Sequence, residues 1–289
     1  MDRKLETIVE EYSSNKLSRR DFFVRLIAVT GSYATAQLSL EQTGLAATVM
    51  SDVESKKFDV NSATVDYMNG TVKLSGYLSQ PKKKRKYPGI IVIHENRGLN
   101  DHTRDVARRF AAEGFVALAV DALSRKGGTA AQDTPEKVRE AFAAIPAADV
   151  MSDLNAGLAF LNSHKNVKKN KLASIGFCWG GARSFLLSTE QNKLAAAVVF
   201  YGSAPTEEQL AKVRCPVLGI YGEVDERITS KVPEVDAAMK KLGKSFEHKI
   251  YKGAQHAFFN DTNAQRYNAE AAKDAWAVSL EFIRKTLKA

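Results

Sequence analysis

Gly176-Phe177-Cys178-Trp179-Gly180 decides the reading of this chain. The stretch follows the apolar run Leu172-Ala173-Ser174-Ile175 and precedes a helical pattern over residues 181–188. A buried strand, a turn with glycine at both ends and a helix make a junction that presents its central residue as a nucleophile. The glycines leave room where neighbouring backbones approach, and the central residue takes strained geometry. Its thiol then stands at a helix N-terminus, where the peptide dipoles predict a shift towards thiolate. Taken alone, the pentapeptide equally fits a structural glycine-rich turn with an inert cysteine, so its surroundings decide.

Upstream, residues 57–67 and 71–78 alternate in polarity around the turn signal Asn69-Gly70 and predict an antiparallel pair. Residues 89–95 form a continuous apolar run that ends in His94-Glu95, as a buried parallel strand does. A helix over 101–113 closes at Gly114, and a second buried strand spans 115–121. A helix over 150–164 precedes the decisive turn. Strands over 195–201, 216–221 and 246–251 follow it, and a helix over 268–287 ends the chain. Strands alternating with helices predict an α/β fold, a mostly parallel central sheet with helices on both faces. Ligands bind such sheets beyond the carboxyl ends of the strands. Four of those ends carry reactive side chains: Glu95, Cys178, Asp225 and His256.

The chain order nucleophile, acid, histidine is that of the α/β-hydrolase fold. His256, in Gln255-His256-Ala257-Phe258, is placed to take the thiol proton and return it to a leaving group. Asp225 is placed to fix the imidazole tautomer, with Glu223 as the rival acid. His102, His164 and His248 fall inside predicted helices or strands and read as packing or surface residues.

With these residues in place, the chain from about residue 57 onward resembles the dienelactone hydrolase family. The resemblance rests on His94-Glu95-Asn96-Arg97-Gly98-Leu99, Gly176-Phe177-Cys178-Trp179-Gly180-Gly181, Asp225 and Gln255-His256-Ala257-Phe258. A cysteine in place of the usual serine is its most telling feature. The resemblance implies that Glu95 contacts the nucleophile and exchanges position or proton with it when substrate binds. It implies an oxyanion hole from the backbone N–H groups of Trp179 and Asn96. It also implies two arginines that clamp a substrate carboxylate. One matches Arg125; the other position holds Asn260, so Arg97, Arg227 or Arg266 would have to substitute. Trp179, Phe258 and Phe259 are the expected apolar walls.

The expected activity is cleavage of a small, anionic ester or lactone through an acyl-enzyme. A general carboxylesterase with a neutral substrate and a non-catalytic binding descendant of the fold are the alternatives. A redox-sensing thiol would need a resolving partner, and Cys215, the second of two cysteines, begins another strand. No phosphate loop, dinucleotide fingerprint or metal-ligand cluster appears, so neither cofactor nor metal is expected.

Residues 1–50 read as an extension to a catalytic domain over 56–289. Ser18-Arg19-Arg20-Asp21-Phe22-Phe23 resembles a twin-arginine export signal, with a weak apolar run to Leu38 and Ala34-Thr35-Ala36 as a cleavage site. That reading predicts a periplasmic protein; the alternative is an uncleaved helical packing arm and a cytoplasmic one. No segment has the ~20 apolar residues of a membrane span, so no membrane insertion is expected. The net charge of +9 owes five charges to the run over 82–86, between two predicted strands. That run reads as a solvated turn, and without interleaved aromatics no nucleic-acid partner is expected. The expected partner is a small molecule, and the expected state a monomer or small homo-oligomer.

Overall fold

The computed structural model describes residues 3–14, 16–31, 58–191 and 193–288. Eight strands form one sheet: β1 (Val60–Asn69), β2 (Val72–Pro81), β3 (Tyr87–Ile93), β4 (Val116–Val120), β5 (Val167–Phe177), β6 (Leu194–Phe200), β7 (Val217–Gly222) and β8 (Phe246–Tyr251). Their spatial order is β1-β2-β4-β3-β5-β6-β7-β8. β1 and β2 pair antiparallel, with Asn69 opposite Val72. Gly70 supplies the positive φ that this tight loop requires. β2 runs antiparallel to β4, and every later pairing is parallel. This is the α/β-hydrolase fold expected from the sequence.

The helices, in chain order, are α1 (Arg3–Ser13), α2 (Arg19–Thr30), α3 (Asp101–Ala112), α4 (Pro135–Ala143), α5 (Ala147–Ser163), α6 (Trp179–Glu190), α7 (Glu207–Leu210), α8 (Glu226–Thr229), α9 (Val232–Lys241) and α10 (Ala269–Leu287). The central strands are apolar at successive positions because both faces of the sheet are covered. Ile90 and Val92 join Phe110 of α3 and Ala275 of α10 in one core. Ile91 and Ile93 join Leu154 of α5, Phe185 of α6 and Met239 of α9 in the other. The helix after the decisive turn begins at Trp179 itself, two residues earlier than its hydrophobic pattern indicates.

The extension forms a helical hairpin in its described part. Leu5, Ile8, Val9 and Tyr12 of α1 bury against Phe22, Phe23 and Leu26 of α2 in a cluster of their own. Ser18 caps α2 by accepting from the Asp21 N–H, and Gly31 closes it in the left-handed conformation. The two phenylalanines of the export-like motif are therefore packing residues of this hairpin. The small-residue motif at 34–36, most of the apolar run and the boundary expected near residues 50–56 lie outside the described residues.

Candidate active site

The turn after β5 is held by backbone contacts that exclude side chains. A Cβ on Gly176 would lie 2.0 Å from the Gly180 carbonyl oxygen, and one on Gly180 would lie 2.4 Å from the carbonyl oxygens of Ile93 and His94. Between them Cys178 adopts φ 55°, ψ −114°, a conformation that costs a non-glycine residue about 1–3 kcal/mol. The Cys178 N–H donates to the Phe200 carbonyl at 3.0 Å and pins the turn to the end of β6. Local strain held by surrounding packing is what the sequence pattern requires of a nucleophile position.

Neighbouring strand ends bring polar groups towards this thiol. His256, beyond β8, directs Nδ1 at the Asp225 carboxylate beyond β7, at 2.5 Å. Asp225 is buried, and Glu223 is exposed and accepts instead from the Gly253 N–H at 2.8 Å. Among the two candidate acids, only Asp225 meets the histidine. Glu95, beyond β3, is 6% exposed. Its carboxylate accepts from the Tyr201 hydroxyl at 3.4 Å and from the Asn260 amide at 3.2 Å.

The sequence reading places Tyr201 inside the strand over 195–201 and gives it no part in the site. It directly follows β6, takes φ 40°, and its ring centroid lies 5.0 Å from that of His256. The rule that singles out residues beyond strand ends reaches it only because β6 ends at Phe200, one residue earlier than the apolar run indicates. Asn260 stands at the position where the resemblance implies an arginine, and its amide donates to Glu95.

The loop that carries Glu95 is itself tied down. The Ala122 N–H donates to His94 Nε2 at 3.1 Å, which leaves the proton on Nδ1, directed at the Glu95 carbonyl oxygen at 2.5 Å. Burial pushes the His94 pKa down, so the ring stays neutral, stacked on Trp179 at 5.6 Å. Asp121 accepts from the Thr129 N–H and hydroxyl at 2.7 and 2.8 Å, and the Thr129 hydroxyl accepts from the Leu99 N–H at 2.8 Å. These bonds bracket residues 94–99, where Asn96 is exposed in the turn after Glu95.

Two expected substrate contacts fall elsewhere. Arg125 makes a two-pronged bond to Asp153, at 2.7 and 2.9 Å, and approaches Asp149 at 3.4 Å. It staples the turn at Ser124–Lys126 to α5, and a carboxylate already fills its fork. Phe258 is fully buried against Tyr201 and Tyr251, so it supports the site from beneath and does not line it. Arg97 is exposed. Arg227, one of the expected substitutes, and Arg183, which the sequence reading does not name, stand near Cys178. The Arg183 guanidinium lies 4.5 Å over the Trp179 ring, on the first turn of α6. Arg227, on α8 beside Asp225, lines a cavity of about 240 Å³ with Gly202, Ser203 and Tyr221 at the carboxyl ends of β6 and β7. Neither makes an ion pair among the described residues. Arg183 is legible in sequence as the residue four after Trp179, on the same helix face.

The electrostatics of Cys178 reverse the thiolate expected from the helix dipole. Burial, and then the Glu95 carboxylate, push its pKa up to about 11, against the opposing Trp179 N–H bond and the Arg227 charge. The resting thiol is therefore protonated at neutral pH. Alkylation of Cys178 by iodoacetamide should climb with pH and reach no plateau below a midpoint of about 11. Glu95→Gln removes a charge that disfavours thiolate, so the midpoint should fall. A wild-type midpoint at or below that of a free thiol, about 8.5, would overturn this account.

The comparisons agree with the fold. A protein from Saccharolobus solfataricus, provisionally named carboxymethylenebutenolidase, is 34% identical over 255 residues, which cover 77% of this chain and 98% of that one. A protein from Synechocystis with the same provisional name is 33% identical over 247 residues, covering 80% and 99%. The crystal structure of a provisionally named dienelactone hydrolase from Klebsiella pneumoniae superposes with a TM-score of 0.72 at 29% identity, covering 78% of this chain and 98% of that one. The profile of the dienelactone hydrolase family matches residues 74–287. The chain thus belongs to the dienelactone hydrolase family and is a hydrolase of the α/β-hydrolase fold.

Proposed function

We propose that this hydrolase cleaves a small ester or lactone bearing a negative charge, with Cys178 as nucleophile, His256 as general base and Asp225 as its orienting acid. The observation that carries the reading is the strained Cys178 turn, flanked at neighbouring strand ends by the His256–Asp225 pair. Asp225 occupies Nδ1, so Nε2 is the nitrogen available for the thiol proton. Sγ then bonds to the acyl carbon, and the carbonyl π pair moves onto oxygen. The N–H groups of Trp179 and Asn96 are the proposed donors to that oxyanion. The Trp179 N–H is one of the groups that favour the thiolate of Cys178, and one oxyanion donor is worth about 3–4 kcal/mol.

Collapse expels the alkoxide, which takes the proton from His256; in a lactone it stays tethered. Water then gives a proton to His256 and attacks the thioester; Cys178 leaves as thiolate and takes that proton from His256, which restores the resting thiol and the neutral base. With the resting thiol protonated and Glu95 held by Tyr201 and Asn260, the nucleophile is activated on substrate binding and is protected from adventitious chemistry before it.

Arg183 and Arg227 support the anionic substrate class. Both are cations near Cys178 without a carboxylate partner among the described residues, and Arg183 is half-buried, where burial pushes its pKa down. A bound carboxylate would relieve that cost. A carboxylated lactone and its methyl ester, compared by turnover and by intact mass after rapid quenching, test the proposal. The expected result is a thioester adduct on Cys178 and a lower KM for the acid. Arg183→Ala should raise KM for the acid alone, by the roughly tenfold or more that a charged hydrogen bond of about 1.5–3 kcal/mol supplies. Arg125→Ala should instead lower Tm and leave KM unchanged. Equal turnover of both substrates, unmoved by Arg183→Ala, would leave a neutral esterase; absence of the adduct would remove the mechanism.

A further inference from the structure

We propose that the amino-terminal edge of the sheet is a docking surface for anionic lipid bilayers, on the opposite end of the molecule from the active site. The run over 82–86 is the exposed connection into β3. The structure sets a second basic run beside it, four lysines at 165, 168, 169 and 171 at the start of β5. β3 and β5 are neighbours, with Tyr87 paired to Val167 and the Tyr87 N–H donating to the Asn166 carbonyl at 2.8 Å. The next pairing is Gly89 with Leu172, so Pro88 alone faces residues 168–171. The surplus loops outward, with Asn170 at φ 60°, and carries Lys168 and Lys169 into solvent.

The two runs hold nine cations, as many charges as the net +9 of the whole chain. Lys82 pairs with Asp59 at 2.5 Å. The other eight make no ion pair among the described residues. Between the runs a recess of about 460 Å³ is lined by Arg85, Lys86, Lys168 and Arg284, with Glu113 as its acid, already paired to Arg284 at 2.6 Å. Like charges gathered this densely repel one another and are relieved by a polyanion.

The chemistry favours a bilayer over a nucleic acid. Eight of the nine cations are lysines, flexible point charges that follow laterally mobile headgroups, whereas base and phosphate reading draws on arginine forks and exposed aromatics. The aromatic between the runs, Tyr87, is buried, and Arg85 stacks over it at 4.8 Å. β3 is seven residues long, which puts roughly 20 Å between this edge and Glu95. A protein docked here keeps its active site facing the aqueous phase.

The test uses the full chain and co-sedimentation with phosphatidylcholine vesicles, with and without phosphatidylglycerol. Binding is expected only to the anionic vesicles, with release at high salt. A lysine near such a surface contributes about fivefold. The quadruple variant Lys83→Gln/Lys84→Gln/Lys168→Gln/Lys169→Gln should therefore lose on the order of a hundredfold or more in partitioning, with Tm and turnover of a soluble ester unchanged. Three outcomes would overturn the proposal: no binding to anionic vesicles, equal binding to neutral ones, or wild-type partitioning by the quadruple variant. Duplex DNA that displaces the protein from vesicles at equal charge would overturn it in favour of a nucleic-acid surface. Because none of these readouts needs Cys178, the proposal stands or falls apart from the catalytic one.

Discussion

Cys178→Ala should abolish ester and lactone hydrolysis, with kcat reduced on the order of 10⁴-fold or more, the scale on which removal of a covalent nucleophile acts. Loss of activity alone would not separate a nucleophile from a residue that shapes the pocket, so the backbone supplies a second readout. At φ 55°, ψ −114° any side chain is strained and glycine is not. Cys178→Gly should therefore be more stable than Cys178→Ala, by about 1–2 kcal/mol. Elsewhere the order is reversed, because glycine gives the unfolded chain more freedom by about 0.4–1 kcal/mol. Urea denaturation of the two inactive proteins measures the difference. An alanine variant that keeps full activity ends the nucleophile assignment. An alanine variant more stable than the glycine one ends the claim that the site stores strain. Cys178→Ser should retain little activity, because a hydroxyl is much harder to deprotonate than a thiol in the same buried place.

The parts of this molecule that were legible in sequence are those written in local patterns. Residues 89–93 and 172–177 read as buried strands because the sheet is covered on both faces and all these positions but Ser174 are apolar. Gly176 and Gly180 marked the turn because no other residue fits there. Asp225 and His256 were found because parallel strands deliver their following residues to one edge. What escaped depended on distant partners. Nothing near Arg125 in sequence announces that Asp153, on the far side of a helical excursion, fills its fork. The thiol was misjudged for a related reason. The helix dipole that favours thiolate is local and visible, whereas the burial and the Glu95 charge that outweigh it come from other strands. Tyr201 was hidden by its type, because a tyrosine after an apolar run passes for core. The basic run over 165–171 acquired meaning only when β3 and β5 became neighbours.

The tightness of the turn makes the largest stability prediction. Gly180→Ala should lower stability by more than about 3 kcal/mol, the upper range for an overpacked interior site. The new Cβ would meet the carbonyl oxygens of Ile93 and His94 at 2.4 Å, and those are backbone atoms in a strand end that cannot rotate aside. Gly176→Ala should be at least as costly, since its Cβ would stand 2.0 Å from the Gly180 carbonyl oxygen. Relief requires α6 to withdraw from β3, which also moves Trp179 and the loop that carries Glu95. Activity should therefore fall even in whatever fraction folds. Gly243→Ala is the contrasting control: unlike Gly176 and Gly180 it has positive φ, and its Cβ would meet nothing within 4 Å, so it should cost only the local backbone strain, about 1–3 kcal/mol. In a domain of this size each kcal/mol corresponds to about 2–4 °C in Tm. Thermal melts of the three variants rank them directly. Gly180→Ala melting level with Gly243→Ala would mean that the turn has slack, and the close approach of α6 to β3 would lose its place in the account of the nucleophile.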